Sequence, residues 1–123
     1  EQYKILIENK PTDFLVISGD DDLVLDVVLQ GGSGVISVIG QALVKDFSEM
    51  IHFGLKGNRD AAKTIKKKVM PLIGLIFEEN NPAGIKAVLQ QLGLCEDLVR
   101  LPLVAATDDL KYKISTALKK LKK

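Results

Sequence analysis

Apolar residues recur along this chain of 123 residues with two different periods, and the change comes at Gly40. Tyr3, Leu6 and Ile7 stand three to four apart and predict a helix that Pro11-Thr12-Asp13 breaks. That helix begins mid-pattern, with neither an N-cap nor an initiator methionine. Phe14-Leu15-Val16-Ile17 is a short continuous apolar run, which predicts a strand buried on both faces. After Ser18-Gly19-Asp20, the spacing of Leu23, Val24, Val27 and Val28 predicts a helix closing at Gly31-Gly32. A second apolar run, Val35-Ile36-Ser37-Val38-Ile39, then predicts another strand. Strand, helix and strand in so few residues make a βαβ unit, whose strands run parallel through a right-handed crossover.

Beyond Gly40 the period is helical throughout. Leu43, Phe47, Met50 or Ile51, and Leu55 trace one helix, closed by Lys56-Gly57-Asn58. Ala62, Ile65, Val69, Leu72, Ile73 and Ile76 trace a longer one, with Lys63, Lys66, Lys67 and Lys68 on its wet side and a kink expected near Pro71. Asn81 is the expected cap of a third, with Pro82 in its first turn, Ile85, Val88, Leu89 and Leu92 on its apolar face, and Gly93 ending it. Leu101-Pro102-Leu103-Val104 reads as extended. Thr107 or Asp108 starts a last helix carrying Ile114, Ala117, Leu118 and Leu121, with lysines at the end that suits its dipole. One βαβ unit followed by helices is an unusual domain by itself. Two parallel strands leave two open edges and more sheet surface than one crossover helix covers.

Composition narrows the class. Apolar residues make up 46% and charged residues 27%, as in ordinary globular proteins, and the net charge of +1 gives no overall attraction to polyanions. The charge is segregated, however: residues 1–60 hold five Lys/Arg and ten Asp/Glu, the remainder twelve and six. A single cysteine, Cys95, makes neither an internal disulfide nor a zinc site and fits a reducing compartment. No apolar run approaches the roughly 20 residues that span a bilayer. The expectation is a soluble, cytoplasmic unit without membrane or nucleic-acid partners.

Few groups carry chemistry. Asp20-Asp21-Asp22 admits a metal reading, because hard cations want several oxygens. It equally suits the start of the following helix, whose N–H groups need acceptors, and with no further carboxylate or histidine at ligand spacing the capping role is preferred. No metal and no cofactor is expected. Gly31-Gly32-Ser33-Gly34 lacks the Gly-Lys-Ser/Thr ending of a phosphate loop and precedes a strand where that loop follows one, so it reads as a helix end and tight turn. His52 has no neighbouring nucleophile and decorates a helix. Lys66-Lys67-Lys68 and the terminal lysines lack interleaved aromatics and read as solvated faces. Cys95 reads as a packing residue. What remains is the pair Gly19-Asp20 and Ile36-Ser37-Val38, at the C-terminal ends of consecutive parallel strands, the rim where α/β folds and (β/α)8 barrels bind ligands.

Four segments together resemble the dihydrodipicolinate synthase family of pyruvate-dependent class I aldolases, to which N-acetylneuraminate lyase also belongs. Ser18-Gly19-Asp20-Asp21 and Gly31-Gly32-Ser33-Gly34-Val35-Ile36-Ser37-Val38 are similar to the family's last two strands. Asn81-Pro82-Ala83-Gly84-Ile85-Lys86, Leu92-Gly93-Leu94 and Arg100-Leu101-Pro102-Leu103 are similar to its C-terminal helical segment, in the same order. The resemblance implies an α/β fold: the last part of a (β/α)8 TIM barrel over residues 1–55, with strands near 14–18 and 35–38, then a C-terminal helical extension over 56–123. It implies a lyase, a homotetramer as parent, in which pyruvate forms a Schiff base with a lysine and its enamine attacks aspartate semialdehyde on the route to lysine and diaminopimelate. It implies substrate-binding roles for the Ile36 backbone, the Gly19 backbone and Asp20. The Schiff-base lysine and the tyrosine relay find no counterpart here, since neither Lys4, Lys10 nor Lys45 falls at the required strand position. No catalytic residue is therefore assigned, and the chain by itself is expected to be inactive. Gly-Asp-Asp and Gly-Val-Ile-Ser-Val favour the synthase over the N-acetylneuraminate or keto-deoxy-sugar aldolases. A sister aldolase and a non-catalytic helical interaction module are the alternatives.

Overall fold

The computed structural model describes residues 1–121. Its elements in chain order are α1 (Gln2–Asn9), β1 (Ile17–Ser18), α2 (Val24–Leu29), β2 (Gly34–Val35), a 3-10 turn (Ile39–Gln41), α3 (Val44–Leu55), α4 (Arg59–Glu78), α5 (Ala83–Gln91) and α6 (Asp108–Leu121). The two strands pair in parallel, Ile17 with Gly34 and Ser18 with Val35, as the βαβ pattern requires. No helix among the described residues is long and apolar enough to cross a membrane.

The strands are shorter than the apolar runs that announced them. Expected at 14–18 and 35–38, they span two residues each. Nor is β1 buried on both faces: Val16 and Ser18 turn inward, while Phe14, Leu15 and Ile17 stay exposed at 59%, 65% and 46%. The reason is coverage. The buried core lies on one side of this two-stranded sheet, and Leu15 and Ile17, alternating with Val16 and Ser18, turn to the other, where α1 leaves them in an open groove. Phe14 has left the strand altogether, its N–H closing a turn on the Pro11 carbonyl. With Leu6 and Ile5 of α1, the outward residues line an open apolar groove.

The core is helical. Val24, Leu25 and Val28 of α2, Phe47 and Met50 of α3, Val69, Leu72 and Ile76 of α4, Val88 of α5 and Leu110 and Ile114 of α6 form one buried cluster. Each large aliphatic side chain so withdrawn from water contributes about 1.5–3 kcal/mol. α4 is the spine, touching α2, α3, α5 and α6. It runs through Pro71 without a break, although the missing N–H there leaves the Lys67 carbonyl without its helical donor. Asn58, read from the sequence only as the end of the preceding helix, also caps this one, its side chain accepting the Ala61 N–H at 3.3 Å. Its lysines are not simply solvated: Lys66 reaches Asp26 of α2 at 3.2 Å and Lys68 reaches Asp46 of α3 at 2.9 Å. Of the terminal lysines, Lys122 and Lys123 lie outside the described residues.

Three further expectations fail locally. Asn81 does not cap α5; the cap position is Pro82, and the Gly84 N–H is taken by the Asn80 carbonyl instead. Asn80 itself sits at φ 75°, a conformation asparagine tolerates better than most residues. The stretch expected to be extended over 101–104 opens instead on a turn at residues 101 and 102, which the Leu103 N–H closes on the Arg100 carbonyl. Cys95, read as a packing residue, is exposed. The start of α6 resolves to Thr107, whose hydroxyl accepts the Leu110 N–H at 3.3 Å.

Candidate functional site

Parallel pairing brings the C-terminal ends of β1 and β2 to the same edge. The register pairs Ser18 with Val35, and the next backbone bond, from the Ile36 N–H to the Ser18 carbonyl at 2.9 Å, carries the ladder one step on. Gly19 and Ile36 therefore emerge side by side. Of the three residues singled out there, Gly19 is exposed with open space where a Cβ would stand. Asp20 is exposed as well. The Ile36 side chain, 78% exposed, points away from the core. Its N–H is already committed to Ser18, and among the described residues no hydrogen-bond donor reaches its carbonyl oxygen.

The loop after β1 is organised by two side chains. The Ser18 hydroxyl accepts the Asp20 N–H and donates to the Asp20 carbonyl, both at 3.1 Å, and it lies 3.5 Å from the Tyr3 hydroxyl of α1. Asp21 does not cap α2, whose cap residue Leu23 receives no side-chain hydrogen bond. Its carboxylate is buried and accepts the Ile39 N–H at 2.8 Å and the Val38 N–H at 3.1 Å. The acidic triplet thus does cap, but it caps the 3-10 turn beyond β2. No group of three or more His, Cys, Asp or Glu among the described residues is placed to hold a metal ion.

The glycine run behaves as a helix end and turn. The Gly31 and Gly32 N–H groups close on the Val28 and Val27 carbonyls, and the Ser33 N–H then donates to Val16 at 2.8 Å. Gly31 has φ 102°, and the Ile7 side chain of α1 lies 3.3 Å from where its Cβ would be, so α1 rests on this turn. His52 is exposed on α3, in a shallow groove shared with Ser37, Gly40 and Phe47. Ser37 itself accepts the Gly40 N–H at 2.8 Å.

The displaced titrations lie away from this rim, between the C-terminal helices. The Glu79 carboxyl is held below its ordinary value by the hydroxyl and N–H of Thr107, and Asp97 is held down by Lys111, 2.6 Å away. Lys113 is raised by its ion pairs with Asp109 and Glu78. These are braces between elements. Of the residues at the rim, sequence reasoning missed the reach of Asp21 and the role of Ser37. No local signal marks the first, because its partners lie 17 and 18 positions away.

A model of the dihydrodipicolinate synthetase family matches residues 1–121. A 4-hydroxy-tetrahydrodipicolinate synthase of Flavobacterium psychrophilum is 49% identical over 118 residues, covering 96% of this chain and 40% of that protein. Among solved structures, the dihydrodipicolinate synthase of Aquifex aeolicus superposes with a TM-score of 0.93 at 32% identity, over 98% of this chain and 41% of that one. The chloride-inhibited dihydrodipicolinate synthase of Acinetobacter baumannii, complexed with pyruvate, gives a TM-score of 0.93 at 31% identity over the same shares. The chain spans about two fifths of the length of the relatives it matches.

Proposed function

The chain belongs to the dihydrodipicolinate synthetase family, and from that membership we propose that it forms the C-terminal portion of a 4-hydroxy-tetrahydrodipicolinate synthase. In this reading residues 1–55 complete the (β/α)8 barrel and residues 56–123 are the helical extension. A lysine and a tyrosine relay from the preceding part of the barrel supply the covalent chemistry. The lysine amine condenses with the keto carbon of pyruvate, releasing water. Loss of a methyl proton then gives the enamine, whose carbon attacks the aldehyde of aspartate semialdehyde; the amino group of that substrate then adds to the imine carbon, closing the ring and expelling the lysine as the free amine.

The contribution of this chain is to bind and orient. The observation that carries the proposal is the shared rim, where the parallel register sets Gly19 beside Ile36 and leaves the Ile36 carbonyl without a protein donor. Ile36 meets pyruvate through its main chain. Gly19 admits the substrate carboxyl groups close to the backbone, and Asp20 stands at the mouth. Fixed main-chain dipoles suit this task, because they need no reorganisation as charge shifts.

Borohydride reduction in the presence of pyruvate tests the proposal. The full-length protein containing this segment becomes irreversibly labelled and loses activity with aspartate semialdehyde. The 123-residue chain by itself takes up no label. Stoichiometric trapping on one lysine of the chain overturns the assignment of the chemistry to the preceding part.

A further inference from the structure

Ile36 and Ser37 form a two-residue bridge pinned at both ends. On the near side, the Ile36 N–H donates to the Ser18 carbonyl at 2.9 Å. On the far side, Val38 and Ile39 donate their N–H groups to the Asp21 carboxylate: Ile39 to Oδ2 at 2.8 Å, Val38 to Oδ2 at 3.1 Å and to Oδ1 at 3.3 Å. Both anchors belong to β1 and the loop that follows it. The bridge therefore hangs across the rim from the neighbouring strand.

We propose that Asp21 is a positioning residue, whose buried carboxylate fixes the Ile36–Ser37 backbone that the proposed function sets against the bound keto acid. The inference rests on the function proposed above. Three features carry it. Asp21 is 3% exposed and Ile39 0%, so water cannot replace the carboxylate as acceptor. Both carboxylate oxygens accept from this backbone, whereas an amide in the same place offers one acceptor and turns an NH2 group toward an N–H. Finally, the bonds lie on both sides of the two residues, Ile36 N–H to Ser18 before them and the Val38 and Ile39 N–H groups to Asp21 after them, so the carboxylate is one of only two ties from β1 and its loop to this backbone among the described residues. Asp20 and Asp22, on either side, are exposed and reach no partner across the rim. The acidic triplet thus divides its labour: Asp20 faces the mouth, and Asp21 holds the neighbouring backbone.

The test compares Asp21→Asn with Asp22→Asn in the full-length protein. Asp21→Asn raises the KM for pyruvate about tenfold or more while kcat per trappable active site changes by less than about threefold. A residue that merely supports the fold lowers the fraction of active sites and leaves that KM where it was. Asp22→Asn matches the unmodified protein. Asp21→Glu, which keeps the charge but moves it by one methylene, gives the same rise in KM and serves if the asparagine variant does not fold. An unchanged pyruvate KM in a folded Asp21 variant overturns the inference. Hydrogen exchange on the 123-residue chain supplies a reading independent of activity. The Val38 and Ile39 amides are protected, and lose about 100-fold in protection in Asp21→Asn, while Val69 and Leu72 of α4 keep theirs. Equal protection in both overturns the clamp. If the unmodified full-length protein neither traps nor consumes pyruvate, the proposed function fails together with the role toward pyruvate, and the exchange result alone decides the clamp.

Discussion

Gly84, in the first turn of α5, lies so close to Ile76 in α4 that a Cβ on it would stand 2.2 Å from the Ile76 carbonyl oxygen and 2.6 Å from the carbonyl carbon. Backbone, not a flexible side-chain tip, forms that wall. The last turns of α4 and the first of α5 therefore meet main chain to main chain, and the separation is set by a hydrogen atom.

Gly84→Ala is accordingly expected to destabilise the chain by about 3 kcal/mol, the upper end of the overpacking range, because two backbones must part to admit the methyl group. Gly74→Ala, in the exposed middle of α4 with open space around its Cβ position, is expected to stabilise by about 0.5–1 kcal/mol. Urea midpoints of the two variants check both signs in one experiment.

The brace between α4 and α6 makes stability depend on acid. Glu79 takes the Thr107 N–H and hydroxyl, which lowers its carboxyl from the ordinary 4.5, and Asp97 is lowered from 3.8 by Lys111. A carboxyl depressed in the folded state stabilises fully above its unfolded value and loses that contribution as pH falls through the folded one. Melting temperatures should fall as pH drops below about 4.5. Glu79→Gln, melted alongside, should be less stable near neutrality and show a shallower acid decline. An identical decline in the variant would place the acid sensitivity elsewhere.

At the rim, Ile36→Val and Ile36→Pro should part company in the full-length protein. Valine keeps the backbone, so pyruvate binding changes by less than about threefold, while proline removes the N–H bonded to Ser18 and costs tenfold or more. Equal losses would assign the contact to the side chain.

The 123-residue chain should also self-associate. Phe14, Leu15 and Ile17 stand exposed beside two open strand edges, with Ile5 and Leu6 of α1 extending the patch. Sedimentation at micromolar concentration should report a species heavier than one chain, and Leu15→Lys should shift it toward the monomer. A dilution-stable monomer with protected strand amides would falsify this.

How much of this was legible depended on how far each interaction reaches along the chain. α3, α4 and α6 bury one stripe each, so Phe47, Val69 and Ile114 announce themselves by spacing alone. Short strands carry less information: four consecutive apolar residues imply cover on both sides, and Leu15 and Ile17 lack it. A cap is legible where donor and acceptor are near neighbours and the helix start is marked, as at Thr107, whereas Asn58 reads as the end of α3 and also caps α4. At Asn81 a main-chain carbonyl does the work, and a backbone acceptor has no residue signature. Strand direction locates the rim, but the carboxylate that holds it reads locally as a cap of α2. Asp21 obeys the chemistry of a cap while its target lies on another element, which no local pattern encodes.

The ion pairs of α4 have a meaning before the fold exists. Lys66 and Lys68 come from the basic half of the chain, and their partners Asp26 and Asp46 from the acidic half. Charge separated this way along a polymer makes a diblock polyampholyte, whose blocks attract while still disordered. The screening length is about 10 Å at 0.1 M salt and 30 Å at 0.01 M, so in dilute buffer the attraction spans several residues of loose chain. The denatured ensemble is thereby biased toward bringing the two blocks together, the association that the packed helices later make permanent, and added salt swells that ensemble.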